Sequence, residues 1–294
     1  MAIFSVDVGG SSIKHAVIDN DGRILVKGKF ATPKNLADFY SALVQTKNDY
    51  AAKFNLVGAG FSFPGAVDDS SGIIGGASYL DYIHNFPIRQ ELEKKLNLPV
   101  SMENDANCAA LGEAWVGTGR DYQDLIFMVI GSGIGGAVVK NKHIHHGRHF
   151  HGGEFGYMAV NDDGKILSDA ASTRALSEMV AAAKGIDPSE MNGLKVFELL
   201  SAGDSDAKAA VDSVYRELAK AIYNLQYSFD PEIFVIGGAI SERKDFAAQI
   251  MQRIDEILAK VQIAKVRPKV VTCAHGNDAN LLGAAYDFLS KHGC

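Results

Sequence analysis

The first thirty residues alternate between apolar runs and short polar turns. Apolar, alternating residues at 3–8 are interrupted by glycine and serine at 9–12 and resume at 13–19. An Asn-Asp-Gly turn at 20–22 then leads into a third run at 23–30. Alternation with a period of two, broken by Gly-rich turns, is typical of antiparallel strands. The pattern therefore predicts a three-stranded meander whose first turn is rich in glycine.

Helical and strand-like segments follow this meander, and the opening pattern then restarts near residue 125. The elements predicted up to residue 115 are a helix over about 36–54, a strand over 56–63 stopped by Pro64-Gly65, a helix over 88–97, a strand over 98–105 and a helix over 106–115. The later elements are strands over 125–130, 137–141 and 142–146 around a Gly-rich turn, amphipathic helices over 211–229 and 246–261, strands over 232–241 and 269–273, and a helix over 279–292.

A meander with a Gly-rich first turn thus occurs twice, each time followed by helices and further strands. This repetition predicts an α/β protein of two similar lobes with a cleft between them. We expect an N-terminal lobe over 1–115, joined by the C-terminal helix at 281–294, and a C-terminal lobe over 116–280. A hinge is expected at 105–120.

Composition and charge narrow the function classes without selecting one. A chain of 294 residues fits about two domains, and its net charge of −6 gives no reason to expect nucleic acid or an anionic membrane surface as a partner. The cysteines at 108, 273 and 294 form no Cys-x-x-Cys motif, which suits a reducing cytosol. No signal peptide or long apolar span is visible. We expect a soluble, cytoplasmic protein.

The two Gly-rich turns are candidates for phosphate binding. Glycine lets backbone N–H groups approach an anion closely, and a nearby carboxylate suits Mg²⁺ through water. A lone Gly-Gly between strands is more often only a hairpin turn, but its recurrence at the equivalent place favours phosphate binding. Neither a helix directly after Gly136 nor a Walker sequence is present, so the dinucleotide and P-loop interpretations fail. The candidate residues are Asp7, Gly9, Gly10, Ser11, Ser12 and Lys14 in the first turn, and Gly131, Ser132 and Gly133 in the second.

Two features of these nucleotide candidates stay open. Lys14 either neutralises phosphate charge or faces solvent from its strand. Gly237 and Gly238 end the strand at 232–241, where they serve as a simple connection or allow close approach of a flat adenosine.

Six segments, in order, resemble the motifs of the ROK family (repressors, open reading frames and kinases). They are 5–14, 60–68, 100–113, 130–139, 152–158 and 230–241. The resemblance spans essentially the whole chain. It implies the actin-like, ribonuclease H-like fold of hexokinases, ATP with Mg²⁺ held by Asp7 through water, a hexose-type substrate and a homodimer. Gly237 and Gly238 then match the adenosine-side motif.

The resemblance also implies a sugar site. Asn104 and Asp105 match residues that hold sugar hydroxyls, with Asp105 as the catalytic base. Glu154 matches another sugar ligand, and Gly65 matches a backbone contact. Helix capping alone would explain an Asn-Asp pair before a helix, and the two roles are compatible. For Glu154 the alternative is a solvated charge in a Gly-rich loop.

Two departures from the family pattern concern the acceptor. Tyr157 stands where the family usually has histidine, and the zinc-binding cysteine cluster is missing, so structural zinc is not expected. Ser168 or its neighbour Asp169 falls where the last sugar-binding glutamate is expected. Such a pocket could admit a larger substrate, for example a β-glucoside. The five histidines between His143 and His151 suggest a polar loop near the substrate, with a metal site as the alternative.

Together these features predict an ATP-dependent sugar kinase. The expected acceptor is the 6-hydroxyl of a glucose unit, free or in a β-glucoside, and the alternative is N-acetylmannosamine. A sugar-sensing repressor would carry an additional helix-turn-helix domain, which we do not expect before a first strand at Ile3. An actin-like ATPase without a small substrate is disfavoured by the sugar-type residues Asp105 and Glu154.

Overall fold

The predicted opening meander is present at the N-terminus of the structure. The structure is a computed structural model and describes residues 1–76 and 78–293. Cys294, the last residue of the predicted segment 281–294, lies outside the described residues. Elements of the first part are β1 Ala2–Val8, β2 Ser12–Asp19, β3 Ile24–Ala31, α1 Leu36–Ala51, β4 Leu56–Phe63, β5 Ala66–Asp68, β6 Ile73–Gly75, α2 Ile88–Leu96, β7 Val100–Asn104 and α3 Asp105–Trp115.

The later part of the chain contains the restarted pattern. Its elements are β8 Leu125–Ile130, β9 Ile134–Lys140, β10 His143–Ile144, α4 Leu167–Ala171, α5 Thr173–Lys184, α6 Gly193–Ser201, α7 Ser205–Phe229, β11 Ile233–Gly237, α8 Phe246–Lys260, β12 Val270–Thr272 and α9 Ala279–His292. Among the described residues, no helix combines the length and the apolar composition that a bilayer span requires.

Both five-stranded sheets follow one plan. The first has the order β3-β2-β1-β4-β7, and the second has the order β10-β9-β8-β11-β12. In each sheet, the first strand of the meander lies in the middle. It pairs in parallel with a later strand, which in turn pairs in parallel with the strand at the edge. Parallel pairing requires long crossover connections, and helices supply them here. The prediction of one α/β plan used twice is therefore confirmed.

The predicted third strand of the second meander is much shorter than expected. Only His143 and Ile144 pair with β9, whereas the pattern predicted a strand over 142–146. Asn141 and Lys142 both have positive φ, 51° and 65°, and form the tight turn before β10. His145 N still donates to Val138 O of β9 at 2.8 Å, and the His146 ring then contacts the Glu103 carboxylate.

The chain divides into two units that alternate along the sequence. Unit 1 comprises Met1–Asp121, Val138–Gly152 and His275–Cys294, and unit 2 comprises Tyr122–Ala137 and Gly153–Ala274. Nothing in the periodicity of residues 138–152 indicates that this stretch belongs with the N-terminal residues.

Helix α9 packs tightly onto the first sheet and onto α3, all within unit 1. Leu281, Leu282 and Phe288 join a core with Ile3 and Ile18. Two glycines allow this close packing: a Cβ at Gly60 would lie 2.0 Å from the Ala284 carbonyl oxygen, and one at Gly283 would lie 1.6 Å from the Cys108 carbonyl oxygen. Larger residues would force the helix outward. The packing fixes the first turn of α9 beside the ends of the strands.

Candidate active site

Three polar residues lie at the carboxyl ends of neighbouring parallel strands in unit 1. Asp7 and Ser62 are the penultimate residues of β1 and β4, and Asn104 is the last residue of β7. The register pairs Asp7 with Ser62 and Phe63 with Asn104. In α/β sheets this edge is where ligands bind. The edge therefore gathers residues that the sequence assigned to phosphate or metal and to the sugar.

The Asp7 carboxylate is almost buried and has two partners. Its Oδ1 accepts a hydrogen bond of 2.9 Å from the Ser62 hydroxyl, and its Oδ2 lies 3.3 Å from the Lys14 ammonium. Lys14 also contacts the Asn277 carbonyl at 3.4 Å. The Lys14 ammonium is thus turned toward Asp7 and the Asn277 carbonyl.

Asn280, in the first turn of α9, contacts both the backbone of Asp105 and the Ser62 hydroxyl. Its Nδ2 donates to the Asp105 carbonyl oxygen at 3.1 Å and to the Ser62 hydroxyl at 3.3 Å. Since Ser62 in turn donates to Asp7, a continuous chain of polar contacts runs from the backbone carbonyl of Asp105 to the Asp7 carboxylate. Sequence reasoning missed Asn280, because its place in the site depends on the packing of α9.

Asn104 and Asp105 stand at the junction of β7 and α3. The Asn104 side chain is the helix N-cap: its Oδ1 accepts from Ala106 N at 2.9 Å and Asn107 N at 3.2 Å. Its Nδ2 donates to the Gly65 carbonyl at 3.0 Å. Asp105 occupies the first helical position with an exposed side chain, and its Oδ1 accepts from Ala106 N at 2.8 Å. The capping interpretation thus holds for Asn104, while the Asp105 side chain is exposed.

The first Gly-rich turn is held by its own backbone and by a threonine. Gly9 N donates to Ser12 O at 3.2 Å, and Thr32 Oγ1 donates to Gly9 O at 2.6 Å. A Cβ at Gly9 would lie 2.8 Å from Ser12 O, so only glycine fits there. Gly10 and Ser11 are exposed at the tip of the turn. The turn is thus a tight hairpin with an exposed tip.

The second Gly-rich turn, in unit 2, is held by hydrogen bonds with residues of α4 and α5. Thr173 donates to Gly131 O through both its N (2.9 Å) and its Oγ1 (2.7 Å). Ile134 N donates to the Ser168 hydroxyl at 3.0 Å. Ser132 and Gly133 are exposed at the tip. Ser168, a predicted sugar ligand, therefore already accepts a backbone hydrogen bond from this turn.

Gly238 is confined to glycine by its backbone and by its neighbours. It has φ 94° and ψ 159°, a region that essentially only glycine populates. A Cβ there would lie 2.2 Å from the Ile130 carbonyl oxygen at the end of β8. Ser241 closes the turn by donating to Gly238 O through its N and its hydroxyl. Gly237 and Gly238 thus bring the ends of β8 and β11 close together.

The remaining predicted sugar ligands are in unit 2. Glu154 is exposed, and Tyr157 has 69% of its surface accessible. Between them Phe155 is buried, and a Cβ at Gly156 would lie 2.1 Å from Ile134 O. The predicted sugar residues are divided between the units, with Gly65, Asn104 and Asp105 in unit 1 and Glu154, Tyr157 and Ser168 in unit 2.

The histidine-rich segment makes local hydrogen bonds, with one exception. His143 Nδ1 donates to the Asn141 carbonyl and His151 Nδ1 to the His149 carbonyl, whereas His146 Nε2 lies 2.6 Å from Glu103 Oε2. Within residues 1–76 and 78–293, no three His, Cys, Asp or Glu side chains converge as a metal ion would require.

Comparison with known proteins places this geometry in a family. The model of the ROK family matches residues 3–291. The beta-glucoside kinase of Klebsiella pneumoniae is 33% identical over 98% of this chain and 96% of its own length. A ROK family protein from Streptococcus pneumoniae, solved in complex with sucrose, is 34% identical, with a TM-score of 0.92 over 100% of this chain and 99% of that one.

A second solved structure carries a nucleotide analogue. It is a ROK family glucokinase from Streptomyces griseus in complex with glucose and AMPPNP, 27% identical, with a TM-score of 0.77 over 97% of this chain and 98% of that one. The likeness to these structures confirms the predicted fold, which is that of the actin-like ATPases.

Proposed function

Because this chain belongs to the ROK family, we propose that it is a cytoplasmic, ATP-dependent kinase that phosphorylates a glucose unit. The acceptor is the 6-hydroxyl of this glucose unit, which is either the free sugar or part of a β-glucoside. Support comes from relatives that are a beta-glucoside kinase and a glucokinase, each aligned over nearly the whole chain. The shared fold alone would not carry this proposal, because one fold hosts many functions.

One observation in unit 1 carries the proposal: the backbone carbonyl of Asp105 and the side chains of Asn280, Ser62 and Asp7 form a continuous polar chain at the carboxyl edge of the sheet. Phosphoryl transfer needs an acceptor group and a phosphate group held in fixed mutual register. Hydrogen bonds that tie the backbone of Asp105, the proposed base residue, to the Asp7 carboxylate support such a register.

Asp105 acts as the general base. A sugar hydroxyl is a weak nucleophile, so a carboxylate within hydrogen-bond reach accepts its proton as attack proceeds. Asn104 orients the acceptor: one hydrogen of its Nδ2 is used by the Gly65 carbonyl, and the second is available for a sugar hydroxyl. Glu154 and Tyr157 are the proposed sugar contacts of unit 2.

In unit 1, the exposed tip of the first Gly-rich turn binds ATP phosphate through backbone N–H groups and the hydroxyls of Ser11 and Ser12. For unit 2, the same role is proposed for the tip of the second turn and the Ser132 hydroxyl. Lys14 adds positive charge beside the first turn. Asp7 fits a Mg²⁺ ion held through water, because that ion commonly uses one carboxylate together with waters and substrate phosphates. The ion would neutralise phosphate charge.

Release of ADP across a panel of sugars tests this proposal. We expect turnover in the presence of glucose or cellobiose to exceed turnover without sugar by at least about a hundredfold, since positioning of the acceptor supplies much of the rate. Chelation of Mg²⁺ should abolish that turnover. N-acetylmannosamine, N-acetylglucosamine and fructose complete the panel, and preferential use of N-acetylmannosamine would favour the alternative acceptor. ATP turnover that ignores every sugar would contradict the proposal.

We also propose a homodimer formed through unit 2. Ile263 is 89% exposed, and Tyr227 and Val266, the latter three residues further along the chain, have half-exposed side chains. Tyr227 and Val266 are adjacent, because the Tyr227 hydroxyl accepts from Val266 N at 3.1 Å. Exposed apolar clusters of this kind mark interaction surfaces.

Replacing Ile263 with glutamate should convert the dimer to a monomer, because a charge would have to be buried in an apolar contact. Sedimentation equilibrium measures the mass directly. The matched control is Leu194→Glu, which alters an equally apolar side chain, 72% exposed, on α6. A wild-type monomer, or an Ile263→Glu variant that stays dimeric, would contradict the proposed surface.

A further inference from the structure

A buried carboxylate, Glu103, lies directly before the proposed acceptor-binding pair. The Glu103 side chain is 2% exposed, yet it is satisfied by three donors. Its Oε1 accepts from Asn104 N at 2.8 Å and from Asn107 Nδ2 at 2.9 Å, and its Oε2 pairs with His146 Nε2 at 2.6 Å. A buried carboxylate accepts hydrogen bonds only, so His146 Nε2 carries the hydrogen.

His146 reaches Glu103 from a distant part of the chain. It follows β10, 43 residues after Glu103, and its ring is 37% exposed, so the pair joins the sheet edge to a surface loop of unit 1. Burial raises the pKa of Glu103, but the hydrogen bond from His146 and the positive charges of His146 and Lys291 outweigh it, so the pKa lies below its ordinary value. The same hydrogen bond raises the pKa of His146 above its ordinary value.

The contacts of Glu103 bear on the backbone of the acceptor site. Asn104 N is held by Glu103, while the Asn104 side chain is held by Gly65 and by the first turn of α3. Asp105 follows directly. If Glu103 lost a hydrogen-bond partner, its buried carboxylate would shift toward another donor. The Asn104 peptide would then move, because its N–H is bonded to that carboxylate. A misplacement of about 1 Å can cost about a hundredfold in rate.

We propose that His146 is a positioning residue for phosphoryl transfer: through Glu103 it fixes the Asn104–Asp105 backbone against which the sugar hydroxyl is held. This inference rests on the proposed kinase function. His146 touches neither reactant and acts only through Glu103, so its loss affects use of the acceptor and leaves the affinity for ATP unchanged.

Two variants of His146 distinguish the effect of its hydrogen-bond donor from the effect of its side-chain size. His146→Phe keeps a ring and removes the donor, and we expect kcat with the preferred sugar of the panel to fall about 10- to 100-fold, with the KM for ATP unchanged. His146→Gln keeps a donor, and its kcat should stay within about threefold of the wild type. His149→Phe is the matched control, because His149 is exposed on the same loop. Its backbone carbonyl, rather than its ring, accepts the hydrogen bond from His151 Nδ1. Its kcat should equal that of the wild type.

Coupling to Glu103 is tested by adding Glu103→Gln. If both residues act as one unit, the double variant should lose no more activity than the worse single variant. Amide hydrogen exchange of residues 103–107, followed by mass spectrometry, should be faster in His146→Phe than in His149→Phe, and this readout does not depend on activity.

The outcomes distinguish this inference from the proposed function. A wild-type protein that phosphorylates no sugar would overturn the function. With an active wild type, the role of His146 is overturned by unchanged kcat in His146→Phe, by equal losses in the Phe and Gln variants, by additive losses in the double variant, or by unchanged exchange at 103–107.

Discussion

Asp105→Asn should reduce kcat for sugar phosphorylation by about 10²- to 10⁴-fold, the range that a general base contributes. The asparagine amide cannot accept the proton of the sugar hydroxyl. Its Oδ1 can still accept from Ala106 N, as the aspartate does at 2.8 Å, so the start of α3 should be preserved. ATP affinity, measured by calorimetry, should therefore stay within about twofold, since base removal leaves the phosphate turns untouched.

The matched control for this variant is Asp38→Asn. Asp38 is also a first-turn carboxylate, in α1, and it is bonded to the cap residue Asn35 at 2.8 Å. Loss of a negative charge at a helix N-terminus costs only about 0.3–1 kcal/mol of stability. Kinase activity of this control should equal that of the wild type. Near-normal turnover by Asp105→Asn would show that another group takes the proton.

Gly238→Ala should destabilise the protein by about 2–6 kcal/mol, the sum of backbone strain and overpacking. At φ 94° and ψ 159° an alanine is strained, and its Cβ would lie 2.2 Å from Ile130 O, a backbone atom that cannot move without distorting β8. Since Gly238 belongs to the proposed adenosine side, ATP affinity should also fall, by about tenfold or more for a misplaced contact. Urea unfolding and titration with a fluorescent ATP analogue measure the two effects.

Gly203→Ala is the control that distinguishes backbone strain at positive φ from a steric clash of the added Cβ. Gly203 also has positive φ, 84°, but a Cβ there would meet nothing within 4 Å. Its substitution should cost only about 1–2 kcal/mol, the ordinary penalty of a left-handed backbone, and should leave ATP affinity unchanged. If both variants were equally stable and bound ATP equally well, the close approach of β8 and β11 would not be what restricts residue 238 to glycine.

Local patterns were sufficient for the elements that repeat a simple period. The alternation of residues 3–30 and the stripes at 211–229 and 246–261 correspond to β1 to β3, α7 and α8, with ends shifted by a few residues. Motif order was sufficient for the family. Asn104 and Asp105 lie where predicted, at the strand-to-helix junction, because their place depends on sequence neighbours alone.

What the sequence did not reveal depends on contacts between distant residues. Asn280 joins the site only because α9 packs against β4, and Thr173 only because α5 begins beneath the second Gly-rich turn. The contact between His146 and Glu103 links residues 43 positions apart, and the histidine run around His146 suggested a polar loop or a metal site instead. A glycine next to an apolar helix hints at such packing, but does not identify the partner.

The fate of the γ-phosphoryl group tests the central claim most directly. Wild-type protein is incubated with ATP, Mg²⁺ and either glucose or cellobiose, and the products are separated and identified by mass spectrometry. The account predicts that one sugar gains a single phosphoryl group, in equal amount to the ADP formed, and that free phosphate stays at background. Release of free phosphate from ATP at the same rate with and without sugar, with no phosphorylated sugar, would contradict it.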